Sequence, residues 1–120
     1  MTEIHIFKSS PDAYEVAAGD ALFAEGETGD AMYAVVEGDF VLTHQGRVVE
    51  EVGAGGILGE MALIDSEPRS ATATARTTAR VVRVDQKQFT FLVHEHPTFS
   101  LQVIRIMAER LRRANVSADS

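Results

Sequence analysis

A mainly β fold, an antiparallel barrel, roll or sandwich followed by two C-terminal helices, is what this sequence predicts, on three observations. Short runs rich in β-branched and aromatic residues recur between Tyr14 and Val84, and glycine-bearing turns separate most of them. The rhythm breaks at Asp85, after which apolar residues recur at helical spacing. The 120 residues, 45% hydrophobic and 24% charged, suffice for one core without staples. The chain is read as a single domain over residues 1–120, with the β portion over about 13–85 and the helices over about 86–114.

Each element follows from local chemistry. Tyr14 to Val16 is a short strand stopped by Ala18-Gly19-Asp20, and Ala21 to Ala24 runs into the turn-rich stretch Glu25 to Asp30. Met32 to Val36 ends at Glu37-Gly38-Asp39. Phe40 to Thr43 and Val48 to Val52 flank a hairpin tip at Gln45-Gly46. Gly53 to Gly56 breaks the chain, and Ala71 to Arg76 with Ala79 to Val84 form a further pair. Asp85 is a good N-cap for a helix carrying Phe89, Leu92 and Val93. Pro97 fits the first turn of a longer helix that ends near Arg113. On a wheel, Phe99, Leu101, Val103, Ile104, Ile106, Met107, Ala108 and Leu111 cover roughly 220° of that helix, about twice what one core requires. Either the helix is sunk between the β layer and the preceding helix, or its spare face meets a partner chain or ligand.

Charge and composition remove several classes. Eleven basic against eighteen acidic side chains give a net charge of −7, a poor footing for direct nucleic-acid binding, which needs clustered positive charge. Without cysteine there is no disulfide, thiolate nucleophile or Cys-based metal site. Met1 to Pro11 lacks the basic and apolar regions of a signal peptide. No apolar run approaches the ~20 residues of a membrane span, and a cytoplasmic location is expected. The four histidines, His5, His44, His94 and His96, offer no strand-borne cluster of the kind a metal-dependent enzyme on a similar roll uses. No metal, cofactor or catalytic residue is assigned, and the chain is not expected to be an enzyme.

The chemistry concentrates in Gly55 to Thr72. Glycines open the stretch and the following residues suit a short helix, whose first N–H groups form an anion site. Gly59 lets the main chain approach a ligand closely. Glu60 repels a bare phosphate; it either accepts from a ligand hydroxyl or complements the helix dipole. Arg69, after a proline and before a strand, either pairs with a phosphate through two parallel hydrogen bonds or is a solvated surface residue. Ser70 either donates to the same anion or makes a local backbone bond.

Gly59-Glu60-Met61-Ala62-Leu63, a short turn, then Pro68-Arg69-Ser70-Ala71-Thr72 resembles the phosphate-binding cassette of the cyclic nucleotide-binding domain family. That family includes the catabolite activator protein, kinase regulatory subunits and gated channels. Phe23 to Gly38 is similar to its early strands and turns, and the likeness continues through Phe89, Leu92, Pro97 and Arg110-Leu111. The resemblance implies an eight-stranded antiparallel β-roll, jelly-roll-like, with a short cassette helix and flanking helices. It also implies roles: Gly59 and Glu60 at the ribose 2′-OH, the Met61 and Ala62 N–H groups around the cyclic phosphate, Arg69 neutralising it and Ser70 donating to it. Leu58 and Ala71 complete the ligand-binding set. Leu58 stands where the family often has Phe, and the helices that usually precede the roll shrink to Met1–Asp12. No aromatic follows Phe99 to cover a base, so Leu111, Arg112 or Arg113 are the lid candidates, the arginines by stacking.

The function implied is a regulatory sensor for a cyclic mononucleotide, cyclic AMP ahead of cyclic GMP. It signals to an unidentified protein partner by moving its C-terminal helices, and a homodimer through Leu101, Ile104, Ala108 and Leu111 is expected. Residues 86–120 are spent on helices, leaving no helix-turn-helix for DNA. The alternative is a protein-interaction module on the same roll that uses no nucleotide.

Overall fold

The computed structural model describes residues 2–119, with side chains described through Ala114. Eight strands among them are β1 (Tyr14–Val16), β2 (Ala21–Phe23), β3 (Ala31–Glu37), β4 (Phe40–His44), β5 (Arg47–Val52), β6 (Ile57–Leu58), β7 (Thr72–Ala75) and β8 (Ala79–Asp85). A 3-10 turn spans Glu60–Leu63, and two helices follow, α1 (Gln86–Glu95) and α2 (Pro97–Asp119). One sheet has the order β1-β8-β3-β6 and the other β2-β7-β4-β5, with every pair antiparallel. The fold is the mainly β, two-sheet roll with C-terminal helices that the sequence predicts.

The first sheet is buried on both faces, and its strand sequences say so. Along β3, Val35 and the half-buried Tyr33 point between the sheets, while Met32 and Ala34 point to the helices. β8 alternates the same way, with Ala79 and Val81 inward and Val82 and Val84 toward the helices. A strand covered on both sides reads as a nearly unbroken apolar run, which is how Ala31 to Val36 reads. The inter-sheet core centres on Phe40 and Leu58, both fully buried.

The second core lies between the first sheet and the helices. Phe99 is its hub, 5.5 Å from the Phe89 ring and 5.9 Å from Phe7, the latter edge-to-face. Asp85 caps α1 as expected: Asp85 Oδ1 accepts from the Gln88 N–H at 2.8 Å, and Gln88 Oε1 accepts from the Asp85 N–H at 2.9 Å. In the short N-terminal segment Ile4 and Phe7 join this core, and the Ile4 N–H donates to Gly55 O at 2.7 Å. α2 continues to Asp119, past the expected end near 114, because residues 114–119 contain no glycine or proline to stop it. Phe99, Val103 and Ile106 of α2 are buried, whereas Leu101, Ile104 and Leu111 are 50%, 57% and 63% exposed. The helix is therefore not sunk, and its spare face is open. No described helix is long and apolar enough to cross a membrane.

Candidate functional site

Arg69 is pinned by its own backbone. Its N–H donates to Glu27 O and its carbonyl accepts from the Gly26 N–H, both at 2.8 Å, so the residue is held against the turn between β2 and β3. From there the side chain turns inward and is 8% exposed. The guanidinium lies over the Phe23 ring, 4.2 Å from its centroid. Nη1 donates to Gly59 O at 3.0 Å and Nη2 to Ala31 O at 2.8 Å. Two glycines make room for it. A Cβ on Gly29 would sit 2.3 Å from Arg69 Nε, and one on Gly59 2.2 Å from Nη1. Gly59 is further restricted to glycine by its left-handed φ of 71°.

The acceptors that hold Arg69 are neutral carbonyls, so its positive charge stays facing the cavity beside it. Burying a charge is costly unless it is paired, and a guanidinium has N–H groups to spare after two hydrogen bonds. The arrangement therefore suits an anion against the guanidinium. The four-residue 3-10 turn adds little, because few peptide dipoles align along it. The Ala62 N–H already donates to Gly59 O at 3.2 Å.

Glu60 is 7% exposed and forms an ion pair with Arg110 of α2, through Glu60 Oε1 and Arg110 Nη1. Arg110 Nη2 also donates to Ile57 O. Arg110 Nε is buried without a hydrogen-bond partner and lies 3.4 Å from Glu50 Oε2 on β5. Glu50 Oε1 pairs with Arg113 Nη2 at 2.5 Å. A chain of alternating charge thus runs from the 3-10 turn through α2 to β5 and back to α2. It sits at a cavity of about 590 Å³, within the roughly 300–1,000 Å³ usual for small-molecule sites.

Gly59, Glu60, Met61, Ala62, Arg69, Ser70 and Ala71 all line that cavity. Leu58 does not; it is fully buried in the inter-sheet core. Ser70 is exposed, and its carbonyl lies 2.9 Å from His44 Nδ1. Of the lid candidates only Arg113 lines the cavity, one turn on from Arg110 and on the same face. Leu111 and Arg112 are exposed elsewhere on the helix, about 100° per residue away. In the sequence, Phe23, Gly29 and Arg110 stand out only within the resemblance and without a role, and Glu50 only as part of a strand. Gly29 reads as one more turn residue, and Glu50 as a solvated strand position.

The cyclic nucleotide-binding domain profile matches residues 14–96. The chain belongs to that family. This domain is 33% identical over 102 residues to a CRP-like cAMP-activated global transcriptional regulator of Mycobacterium tuberculosis, covering 81% of this chain and 46% of the regulator. It is 39% identical over 106 residues to a cyclic nucleotide-gated potassium channel of Mesorhizobium japonicum, covering 88% of this chain and 29% of the channel. Among solved structures, the Thermus thermophilus catabolite activator protein superposes with a TM-score of 0.78 at 29% identity, covering 89% of this chain and 53% of that one. The domain therefore spans less than half the length of these curated relatives. What it shares with them is a cyclic nucleotide-binding regulatory domain.

Proposed function

We propose that this domain is a non-catalytic sensor that takes up a cyclic mononucleotide, cyclic AMP ahead of cyclic GMP, and passes its occupancy through α2 to a protein partner. The observation that carries the reading is the buried, uncompensated Arg69 guanidinium beside buried Glu60 in one cavity. The phosphate meets the Arg69 N–H groups, the Ser70 hydroxyl and the Met61 N–H, while the Ala62 N–H, engaged by Gly59 O, would have to be released to join them. The ribose 2′-OH donates to Glu60, whose carboxylate keeps an open oxygen while paired with Arg110. Arg113 at the cavity wall is the lid group. The name of the mycobacterial relative, a cAMP-activated regulator, supports the choice of cyclic AMP.

Two links join the site to the helices. Glu60 reaches α2 through Arg110, and Leu63 at the end of the 3-10 turn packs into the helical core. A 2′-OH donating to the open Glu60 oxygen weakens the hold of the carboxylate on Arg110, and only unequal ligand affinity for two helix positions can move the helix. The open face of Leu101, Ile104, Ala108 and Leu111 suits a second copy of the chain. The acidic, cysteine-free composition is consistent with a cytoplasmic protein that does not itself contact DNA.

Thermal denaturation tests the reading. Cyclic AMP at ~100 times its dissociation constant should stabilise the fold by about 2.7 kcal/mol, a rise in Tm of roughly 10 °C. Cyclic GMP should give a smaller rise, and no hydrolysed product should accumulate. A flat response to cyclic AMP, cyclic GMP and cyclic dinucleotides would leave the nucleotide-independent interaction module as the function.

A further inference from the structure

We propose that His44 is a positioning residue for the phosphate: it holds the Ser70 carbonyl and so fixes the serine whose hydroxyl meets the ligand. The inference rests on the cavity being a cyclic nucleotide site. Ser70 lies between two anchors. Before it, the Arg69 backbone is tied to Gly26 and Glu27 by hydrogen bonds of 2.8 Å. After it, the ladder of β7 on β4 begins at the Thr72–Thr43 pair. Ser70 and Ala71 fall in the gap, ahead of the strand. The last residue of β4 is His44, and its imidazole forms the rung that the backbone does not, with Nδ1 2.9 Å from Ser70 O.

Glu25 sets the ring. Its Oε2 lies 3.1 Å from the same Nδ1, so that nitrogen faces two oxygens that only accept. The imidazole proton therefore sits on Nδ1, in the neutral ring as in the charged one. Glu25 is itself fastened twice. Its Oε1 accepts from the Gln45 N–H at 3.0 Å, at the tip of the β4–β5 hairpin, and its own N–H donates to Thr72 Oγ1 at 2.9 Å, at the start of β7. The turn after β2 and the hairpin tip thus close together on the Ser70–Ala71 peptide. The carbonyl is an effective handle, because turning a peptide plane turns the residues on either side of it. A serine hydroxyl carries one donor proton, and a held main chain keeps it aimed at a phosphate oxygen. Ser70 lines the cavity and His44 does not, so the imidazole acts on the ligand through Ser70.

Calorimetric titration with cyclic AMP tests this on wild type, His44→Ala, His44→Asn, Ser70→Ala and the variant combining His44→Ala with Ser70→Ala. His44→Ala should weaken binding by about three- to tenfold, and Ser70→Ala by about tenfold. In the Ser70→Ala background, His44→Ala should cost less than about twofold, because no hydroxyl remains to be placed. Asparagine reproduces the Nδ1–H donor with its amide, so His44→Asn should bind within about twofold of wild type. The imidazole is half exposed, and the unliganded melts should differ little among the variants. Equal losses from His44→Ala with and without the Ser70 hydroxyl, or an asparagine variant as weak as the alanine one, overturn the role of His44 while the site stands. So does a Ser70→Ala variant that binds like wild type. Wild type that binds no cyclic nucleotide overturns the site and the inference together.

Discussion

At the scale of single residues, the candidate site centres on a cation that the fold buries with no anionic partner among the described residues. Arg69 is held by two carbonyls, an aromatic face and the space left by Gly29 and Gly59. Arg69→Ala is therefore an impure test, since it leaves Gly59 O and Ala31 O short of a donor, at about 1–3 kcal/mol for each buried group left unsatisfied. Gly29→Ala displaces the same group without removing its charge. The three atoms nearest its added methyl all belong to the Arg69 side chain, within 2.3 to 2.6 Å, and Gly29 has no left-handed φ to strain. Displacing the guanidinium should weaken cyclic AMP binding by about ten- to a hundredfold, some 1.4–2.7 kcal/mol, and also lower the unliganded melt, since the same two carbonyls lose their donor. Calorimetry decides it, and undiminished affinity would show that Arg69 does not hold the phosphate. Pro68-Arg69-Ser70 was legible because its chemistry is local. Gly29 was not, because its role exists only once two distant turns are brought together.

At the scale of elements, the strands and α1 were legible because periodicity and capping are written into neighbouring residues, as at Asp85 and Gln88. Three features were not. β6 is two residues between glycine-rich turns, too short to show alternation. Ile4 and Phe7 pack by tertiary contact on Phe99 and neighbouring residues, which no local pattern announces. The wide apolar arc of α2 allowed two readings until exposure separated them, with Phe99, Val103 and Ile106 buried and Leu101, Ile104 and Leu111 open. If the open stripe is a dimer seam, Ile104→Glu should convert a sedimenting dimer to a monomer. The monomer should melt below the wild-type dimer by an amount that grows with protein concentration, because association stabilises the folded state by mass action. A wild-type chain that sediments as a monomer at high concentration, with and without nucleotide, removes the seam.

At the scale of the whole molecule, the site must attract an anion on a surface that repels one. The net charge is −7, and the cavity itself is lined by four carboxylates (Glu50, Glu60, Asp65 and Glu67) against three guanidiniums (Arg69, Arg110 and Arg113). Long-range steering therefore opposes a cyclic nucleotide, whose phosphodiester carries a single negative charge, while the short-range contact with Arg69 favours it. The two act over different distances, and salt separates them: at about 150 mM the Debye length is near 8 Å, which screens the distant charges but not a buried hydrogen-bonded contact. Raising ionic strength from about 20 to about 150 mM should then speed association by roughly two- to fivefold and leave dissociation nearly unchanged. Stopped-flow mixing with a fluorescent cyclic nucleotide measures both rates. An association rate that falls with salt would mean that the arginines set the field at the cavity mouth, and that the acidic surface has no part in controlling access.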